Sequence, residues 1–268
     1  MTKLPALLLI GGGKMGSALL AGWRARGVER VVVIDPDPAS RALADHEVTV
    51  VDTCAAIPAE FAPAAIILAV KPQIAAEALA PLAGRMGDAV VISIMAGKTI
   101  AWLTVQCGTG AAVLRAMPNT PAAVRQGVTV VCAGANVRPD QRALAEALLG
   151  CVGLVSFVED EALLDPVTAV SGSGPAYVFL LVELLEQAAI AQGISADLAA
   201  ILARQTVIGA GALLAASDQP AASLRKAVTS KGGTTEQALA VLMDPQAWPR
   251  AVNAAIEAAT QRSRELSA

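Results

Sequence analysis

Through the first half of the chain, short runs rich in Val, Ile and Leu alternate with stretches whose apolar residues recur at helical spacing. The runs span residues 6–10, 30–35, 47–51, 64–70, 89–94 and 112–116, and helical stretches such as 15–26 and 74–86 lie between them. Strands that alternate with helices predict an α/β fold, a doubly wound parallel sheet of the Rossmann-like kind. Two further runs, 128–132 and 154–158, flank a helical stretch at 139–149 and extend the same sheet.

Past about residue 158 the pattern changes, and Ala- and Leu-rich helical stretches follow at 163–170, 175–192, 196–216, 220–228, 235–241 and 249–266. The chain therefore divides into an α/β domain over 1–158 and an all-α domain over 159–268. The stretch 198–216 is apolar on more than one face, and such a helix must be buried. A domain of about 110 residues has little interior to hide it, so a second copy of the chain is the expected cover. The stretch 176–193 nears membrane-spanning length. It carries Glu183, Glu186, Gln187 and Gln192, however, and charges at a bilayer centre are costly. No membrane partner is expected.

The 268 residues are 55% apolar but only 3% aromatic, so the core must be built from Ala, Leu and Val. A net charge of −3 offers no basic footprint for nucleic acid. Cys54, Cys107, Cys132 and Cys151 lack metal-type spacing and read as reduced, mostly buried thiols of a cytoplasmic protein. The N-terminus has no signal-peptide layout.

The candidate chemistry begins at residues 7–23, LLLIGGGKMGSALLAGW, where an apolar run leads into glycines that open a helix. G-x-G-x-x-G falls on Gly11, Gly13 and Gly16. Gly11 permits the tight turn, Gly13 lets a pyrophosphate approach the backbone, and Gly16 lets helix and strand pack closely. The helix's first N–H groups then face the anion. Asp35 ends the second run about 20 residues later, where an acid binds the ribose 2′-OH of NAD. It reads either in that role or as a turn residue before Pro36. A carboxylate there repels the 2′-phosphate of NADP, which nearby Arg41 can offset.

Ligands of open α/β sheets sit beyond the carboxyl ends of the strands. Three marked loops fall there: Ala69-Val70-Lys71-Pro72, then 93–97 with Met95, Ala96 and Gly97, then 117–121, where two prolines hold Asn119 extended. In the helical half, residues 171–175 (SGSGP) make a helix start with proline in its first turn. They serve as a plain cap or as a place of close approach. Residues 229–235 (TSKGGTT) join two helices and hold four hydroxyls and two glycines. They form either a polar connector or a carboxylate-binding loop whose N–H groups precede a helix.

The only histidine, His46, sits between acids before the third run, and no role is assigned to it. No Ser–His–Asp constellation or metal-spaced cluster is present, and the glycine turn lacks the G-K-[ST] ending of a phosphate-transfer loop. The chemistry must be mild in acid–base terms or carried by a cofactor. Hydride delivery to a C=N carbon meets that description.

These motifs together resemble the pyrroline-5-carboxylate reductases over nearly the whole chain. The resemblance rests on IGGGKMGSAL at 10–19, LAVKPQ at 68–73, MAGKTI at 95–100, RAMPNTPAAVRQGVTV at 115–130, AVSGSGPAYVF at 169–179 and VTSKGGTTEQAL at 228–239. It implies reduction of Δ1-pyrroline-5-carboxylate to L-proline by NADPH or NADH, in a homodimer or an assembly of dimers whose helical domains interlock. It also implies that Gly11, Gly12, Gly13, Lys14, Met15, Gly16, Ala69, Val70, Lys71 and Pro72 hold the cofactor, with Met95, Ala96 and Gly97 at its nicotinamide end; Asp35, by its spacing, and Asn119, by its loop, join that cofactor-binding set. Ser230, Gly232, Gly233 and Thr234 would grip the substrate carboxylate, Thr235 would hydrogen-bond the ring nitrogen, and Glu161 would lie near the substrate. Two departures stand out. Asp35 replaces the serine, asparagine or arginine of many relatives and tilts the chain toward NADH, and Lys231 replaces a common proline.

A hydroxyacid dehydrogenase would share this plan, but it needs a lysine base early in the second domain, and residues 163–216 hold none. A general imine reductase would not need the 229–235 loop. A non-catalytic dinucleotide sensor is the remaining alternative, and the intact loop speaks against it.

Overall fold

A computed structural model describes residues 3–82 and 86–267. The chain packs as two compact units. One comprises Met1–Gly172 together with Ala259–Ala268, and the other Ser173–Ala258.

The first unit is built on an eight-stranded sheet in the order β3-β2-β1-β4-β5-β6-β7-β8. The strands are β1 (Leu7–Ile10), β2 (Val31–Ile34), β3 (Val48–Val51), β4 (Ala65–Leu68), β5 (Val90–Ser93), β6 (Val113–Met117), β7 (Gly127–Ala133) and β8 (Gly153–Val158). All eight expected runs are strands of one sheet. The sheet is not wholly parallel as expected, because β7 runs antiparallel to β6 and β8 then returns parallel to β7. The reason is connection length. Only residues 118–126 join β6 to β7, with a 3-10 turn at Thr120–Val124, whereas a parallel return needs a crossover of about a dozen or more residues. Between β7 and β8 the helix α4 (Pro139–Leu149) supplies that crossover, just as α1 (Lys14–Arg26) does between β1 and β2.

Both sheet faces are covered over β1, β2, β4, β5 and β6, whose residues are buried on either side of the pleat, while β3 and β8 at the two edges keep exposed positions. Leu7, Leu9, Val31, Val33 and Ile92 pack with Leu19, Leu20 and Trp23 of α1 and with Leu148 of α4. Leu8, Ile10, Val32, Ile66 and Val91 pack on the other face with Leu79 of α2 (Ala75–Leu79) and Leu103 of α3 (Ile100–Cys107). Trp23 is fully buried, and its indole N–H donates to the Leu148 carbonyl at 3.0 Å. The expected helix over 74–86 is shorter: α2 ends at Leu79, a 3-10 turn covers Ala80–Leu82, and residues 83–85 lie outside the described residues. Pro81 lacks the N–H that would continue an α-helix. The unit closes with α5 (Leu164–Val167), which passes into a π-helical turn at Thr168–Gly172.

The second unit is all-helical: α6 (Gly174–Ala191), α7 (Ala196–Ala215), α8 (Ala221–Ala227), α9 (Thr234–Leu242) and the first part of α10 (Trp248–Ser267). It leaves its apolar residues uncovered. No residue of α6 is buried, and in α7 only Ala199 and Ala203 are. Phe179 is 64% exposed and Ile201 63%. The helical spans Glu161–Ala191 and Ala196–Ala215 are long and apolar enough to cross a bilayer by length and composition.

Candidate active site

In the first unit the strand order reverses direction between β1 and β4, and the glycine turn sits at their carboxyl ends. Gly11 has φ +100°, and a Cβ there would lie 2.7 Å from the Ala69 carbonyl oxygen, so the turn lies directly against the chain leaving β4. A Cβ on Gly16 would collide with the Gly11 carbonyl. Gly13 differs, because a Cβ added to it would meet nothing within 4 Å. It is the N-cap of α1, with no side-chain cap and no acid in the first turn. The open side of the turn thus presents uncapped N–H groups at a helix start, a cradle that suits a pyrophosphate.

Asp35 touches this cradle. One of its carboxylate oxygens accepts the Gly12 N–H at 2.5 Å and the other accepts the Asp37 N–H at 2.9 Å. The carboxylate braces the glycine turn against the loop after β2, a role visible only in three dimensions. Arg41 is turned to Asp52 at 3.2 Å. Beyond β4, Ala69 donates its N–H to the Ile10 carbonyl, and Lys71 is extended and exposed before the turn Pro72–Ile74.

After β5, Met95 is buried, and its N–H donates to the Ser93 hydroxyl at 3.3 Å. Ala96 is exposed, and Gly97 turns at φ +72°. Thr99 then caps α3, its hydroxyl accepting the Trp102 N–H. Asn119 is buried, with both ends of its amide engaged: the oxygen accepts the Val128 N–H at 2.9 Å, and the nitrogen donates to the Ser171 carbonyl at 3.2 Å. It ties the end of β6 to the π-helical turn.

Glu161 is committed to protein partners. Its Oε1 accepts the Ile100 N–H at 2.9 Å, which caps α3, and receives Arg115 Nη1 at 2.9 Å. Arg115, on β6, is only 2% exposed and was absent from the residues singled out in the sequence. The signal for it was a lone arginine inside an apolar strand (VLRAM), since a buried guanidinium requires a partner.

In the second unit the 229–235 loop joins α8 to α9. Thr229 Oγ1 donates to the Arg225 carbonyl at 2.6 Å, and Gly232 has φ +73°. The Gly233 N–H donates to the Ser230 carbonyl at 3.1 Å. The Gly232 N–H donates to Glu236 Oε2 at 2.7 Å, so this loop already serves a carboxylate. Gly233 caps α9 in extended conformation without a side-chain cap, and the N–H groups of Thr234 and Thr235 in the first turn have no acceptor within the helix.

Nothing among the described residues competes for chemistry. They contain no group of three or more His, Cys, Asp or Glu able to hold a metal, and His46 is exposed. The four cysteines are not joined in disulfides. Burial pushes Cys107 up to about 11, and burial likewise raises Cys132 and Cys151, so these remain protonated thiols at neutral pH.

Residues 161–266 match the family model described as pyrroline-5-carboxylate reductase dimerisation, and residues 6–97 match one described as NADP oxidoreductase coenzyme F420-dependent. The chain is 38% identical over 267 residues to the pyrroline-5-carboxylate reductase of Haemophilus influenzae, covering 97% of each chain. It superposes on the pyrroline-5-carboxylate reductase structure from Coxiella burnetii with a TM-score of 0.89 at 34% identity, covering 98% of both chains. The Plasmodium falciparum pyrroline carboxylate reductase crystallised with NADP bound gives a TM-score of 0.80 at 29% identity, with 98% of this chain and 100% of that one covered. On full-length relationship, on the two domain matches and on the sheet that carries the glycine turn, the chain belongs to the pyrroline-5-carboxylate reductase family.

Proposed function

We propose that this protein reduces Δ1-pyrroline-5-carboxylate to L-proline with NADPH or NADH, the last step of proline synthesis. The observation that carries the reading is the near end-to-end relationship to reductases of that name. The open cradle at Gly13 and the capless start of α9 support it.

When bound, the reduced nicotinamide supplies a hydride to the C=N carbon. The chain's own residues bind and orient. The N–H groups of Gly13, Lys14 and Met15 receive the pyrophosphate, with Gly11, Gly12 and Gly16 shaping the turn. Ala69, Val70, Lys71 and Pro72 bound the same cleft from the end of β4. Asn119 supports that edge through its two amide bonds. Met95, Ala96 and Gly97 line the nicotinamide end, the buried Met95 giving it a fixed floor. Asp35 faces the adenine ribose and favours NADH. Ser230, Gly232, Gly233 and Thr234 hold the substrate carboxylate, and the Thr235 hydroxyl hydrogen-bonds the ring nitrogen. The Gly232 N–H already holds a carboxylate, that of Glu236, which supports the reading of a carboxylate-binding loop. Glu161 acts one step back from the substrate, through Arg115 and the cap on α3.

The working form in this reading is a homodimer or an assembly of dimers. A second copy covers the apolar faces of α6 and α7, which the family model of the dimerisation region spans. The functional division falls near residue 158. A cytoplasmic setting fits four cysteines that form no disulfide.

The test is consumption of NADH and NADPH with pyrroline-5-carboxylate, set beside a cyclic imine that lacks the carboxylate. Turnover is expected for the first substrate, with kcat/KM far lower for the second. Equal turnover of both would reassign the protein as a general imine reductase.

A further inference from the structure

Gly97 ends the turn after β5, and the backbone of a distant segment lies against it. A Cβ on Gly97 would run into the Leu266 carbonyl oxygen, with the carbonyl carbon at 3.0 Å and the Leu266 Cβ at 3.3 Å. With φ at +72°, the position is closed to other residues by conformation and by space alike. Leu266 belongs to the last turn of α10, which packs as part of the first unit.

That last turn is fastened at two points. Ser263, 7% exposed, donates its hydroxyl to Asp165 Oδ1 at 2.7 Å, and Asp165 is itself buried. Arg115 Nη2 reaches Ser267 Oγ at 3.4 Å. The Arg115 guanidinium thus lies at the carbonyl end of α10, where the helix dipole favours a cation. The same guanidinium holds Glu161, whose Oε1 caps α3 through the Ile100 N–H. The turn over 94–99 is therefore bracketed: the end of α10 lies on it at Gly97, and Glu161 fixes the helix that follows.

We infer that the last turn of α10, Leu266–Ser267 with its anchor Ser263, is a positioning element for the nicotinamide end of the cofactor, acting through Gly97. This rests on the reading that the Met95–Gly97 turn lines that end. Arg115 is the positioning residue that joins the tail to Glu161. The contacts described for this element lie at Gly97, Arg115 and Asp165, so its influence is expected at the reacting half of the cofactor.

The experiment compares the full chain with one ending at Glu265, using two probes. One is steady-state turnover of pyrroline-5-carboxylate with the preferred reduced cofactor. The other is the Kd of ADP-ribose (its 2′-phosphate if NADPH is preferred), which fills the cleft without a nicotinamide. The shortened chain should lose on the order of 10–100-fold in kcat, as for a misplaced reacting group, while the Kd of the fragment stays within about twofold. Ser263→Ala, which releases α10 from Asp165 without altering the 94–99 turn, should show the same split, and it carries the test alone if the shortened chain does not fold. Unchanged kcat, or a parallel loss of turnover and fragment affinity, would overturn the inference and leave the tail a plain structural clasp. Absence of turnover in the full chain would instead strike the proposed reaction. The Kd of the reduced cofactor against that of the fragment would then decide: weakening of the cofactor alone supports the positioning role, and equal weakening or none overturns it.

Discussion

Thr235 and Asp35 place the chemistry on single residues. Thr235 lies in the first turn of α9, and its hydroxyl is assigned to the ring nitrogen of the substrate. Thr235→Ala should lower kcat/KM by about 1.5–3 kcal/mol, the range for a hydrogen bond to a charged group, measured by steady-state kinetics. Unchanged kinetics would remove Thr235 from the mechanism. Asp35→Ser removes the charge that opposes a 2′-phosphate, so the ratio of kcat/KM for NADPH to that for NADH should rise. The substitution also removes the brace on the Gly12 N–H, so both cofactors should bind somewhat more weakly than before. A fixed ratio would refute the ribose role. At this scale the sequence was legible where one residue type has one use: glycines at Gly11 and Gly16 are required by a positive φ and by a backbone collision. It was silent on Asp35 as a brace and on Glu161 as a cap, because each depends on a partner brought close only by folding, 23 residues away for Asp35 and 61 for Glu161.

Elements hold these residues in place through a few buried polar links, of which Arg115–Glu161 is the chief one. Arg115→Met leaves Glu161 without its cation and α10 without one of its two fastenings. Breaking a fully buried pair costs about 3–5 kcal/mol, and because Glu161 keeps some solvent contact the loss should be roughly 2–4 kcal/mol. Urea unfolding of the variant reads this directly, and Arg115→Met combined with Glu161→Gln should recover part of the loss. Strand positions were legible because Val, Ile and Leu runs buried on both faces leave a continuous apolar signal. The direction of β7 was not, since periodicity is the same for a strand running either way; the shortness of 118–126 carried that information. Pro81 likewise marks the end of the α2 region inside a stretch whose apolar spacing continues.

The molecule as a whole leaves α6 and α7 uncovered when taken as one chain. Val178, Phe179, Leu180, Ile201 and Leu213 are all exposed, large apolar side chains on two adjacent helices that call for a cover. Sedimentation should therefore give an even multiple of the chain mass, and Phe179→Glu should break that assembly and abolish turnover together. A monomeric wild type would contradict the interlocked arrangement. The all-round apolar pattern of 198–216 announced this need in the sequence, although a pattern says only that a face must be covered.

The proposed reaction moves one hydrogen from the nicotinamide ring to the imine carbon, and isotopic labelling follows that atom. Pyrroline-5-carboxylate incubated with the enzyme and NADPH or NADH carrying deuterium at C4, on the face the enzyme uses, should yield L-proline with one deuterium at C5. Proline formed without the label, or no proline with either cofactor, would contradict the account.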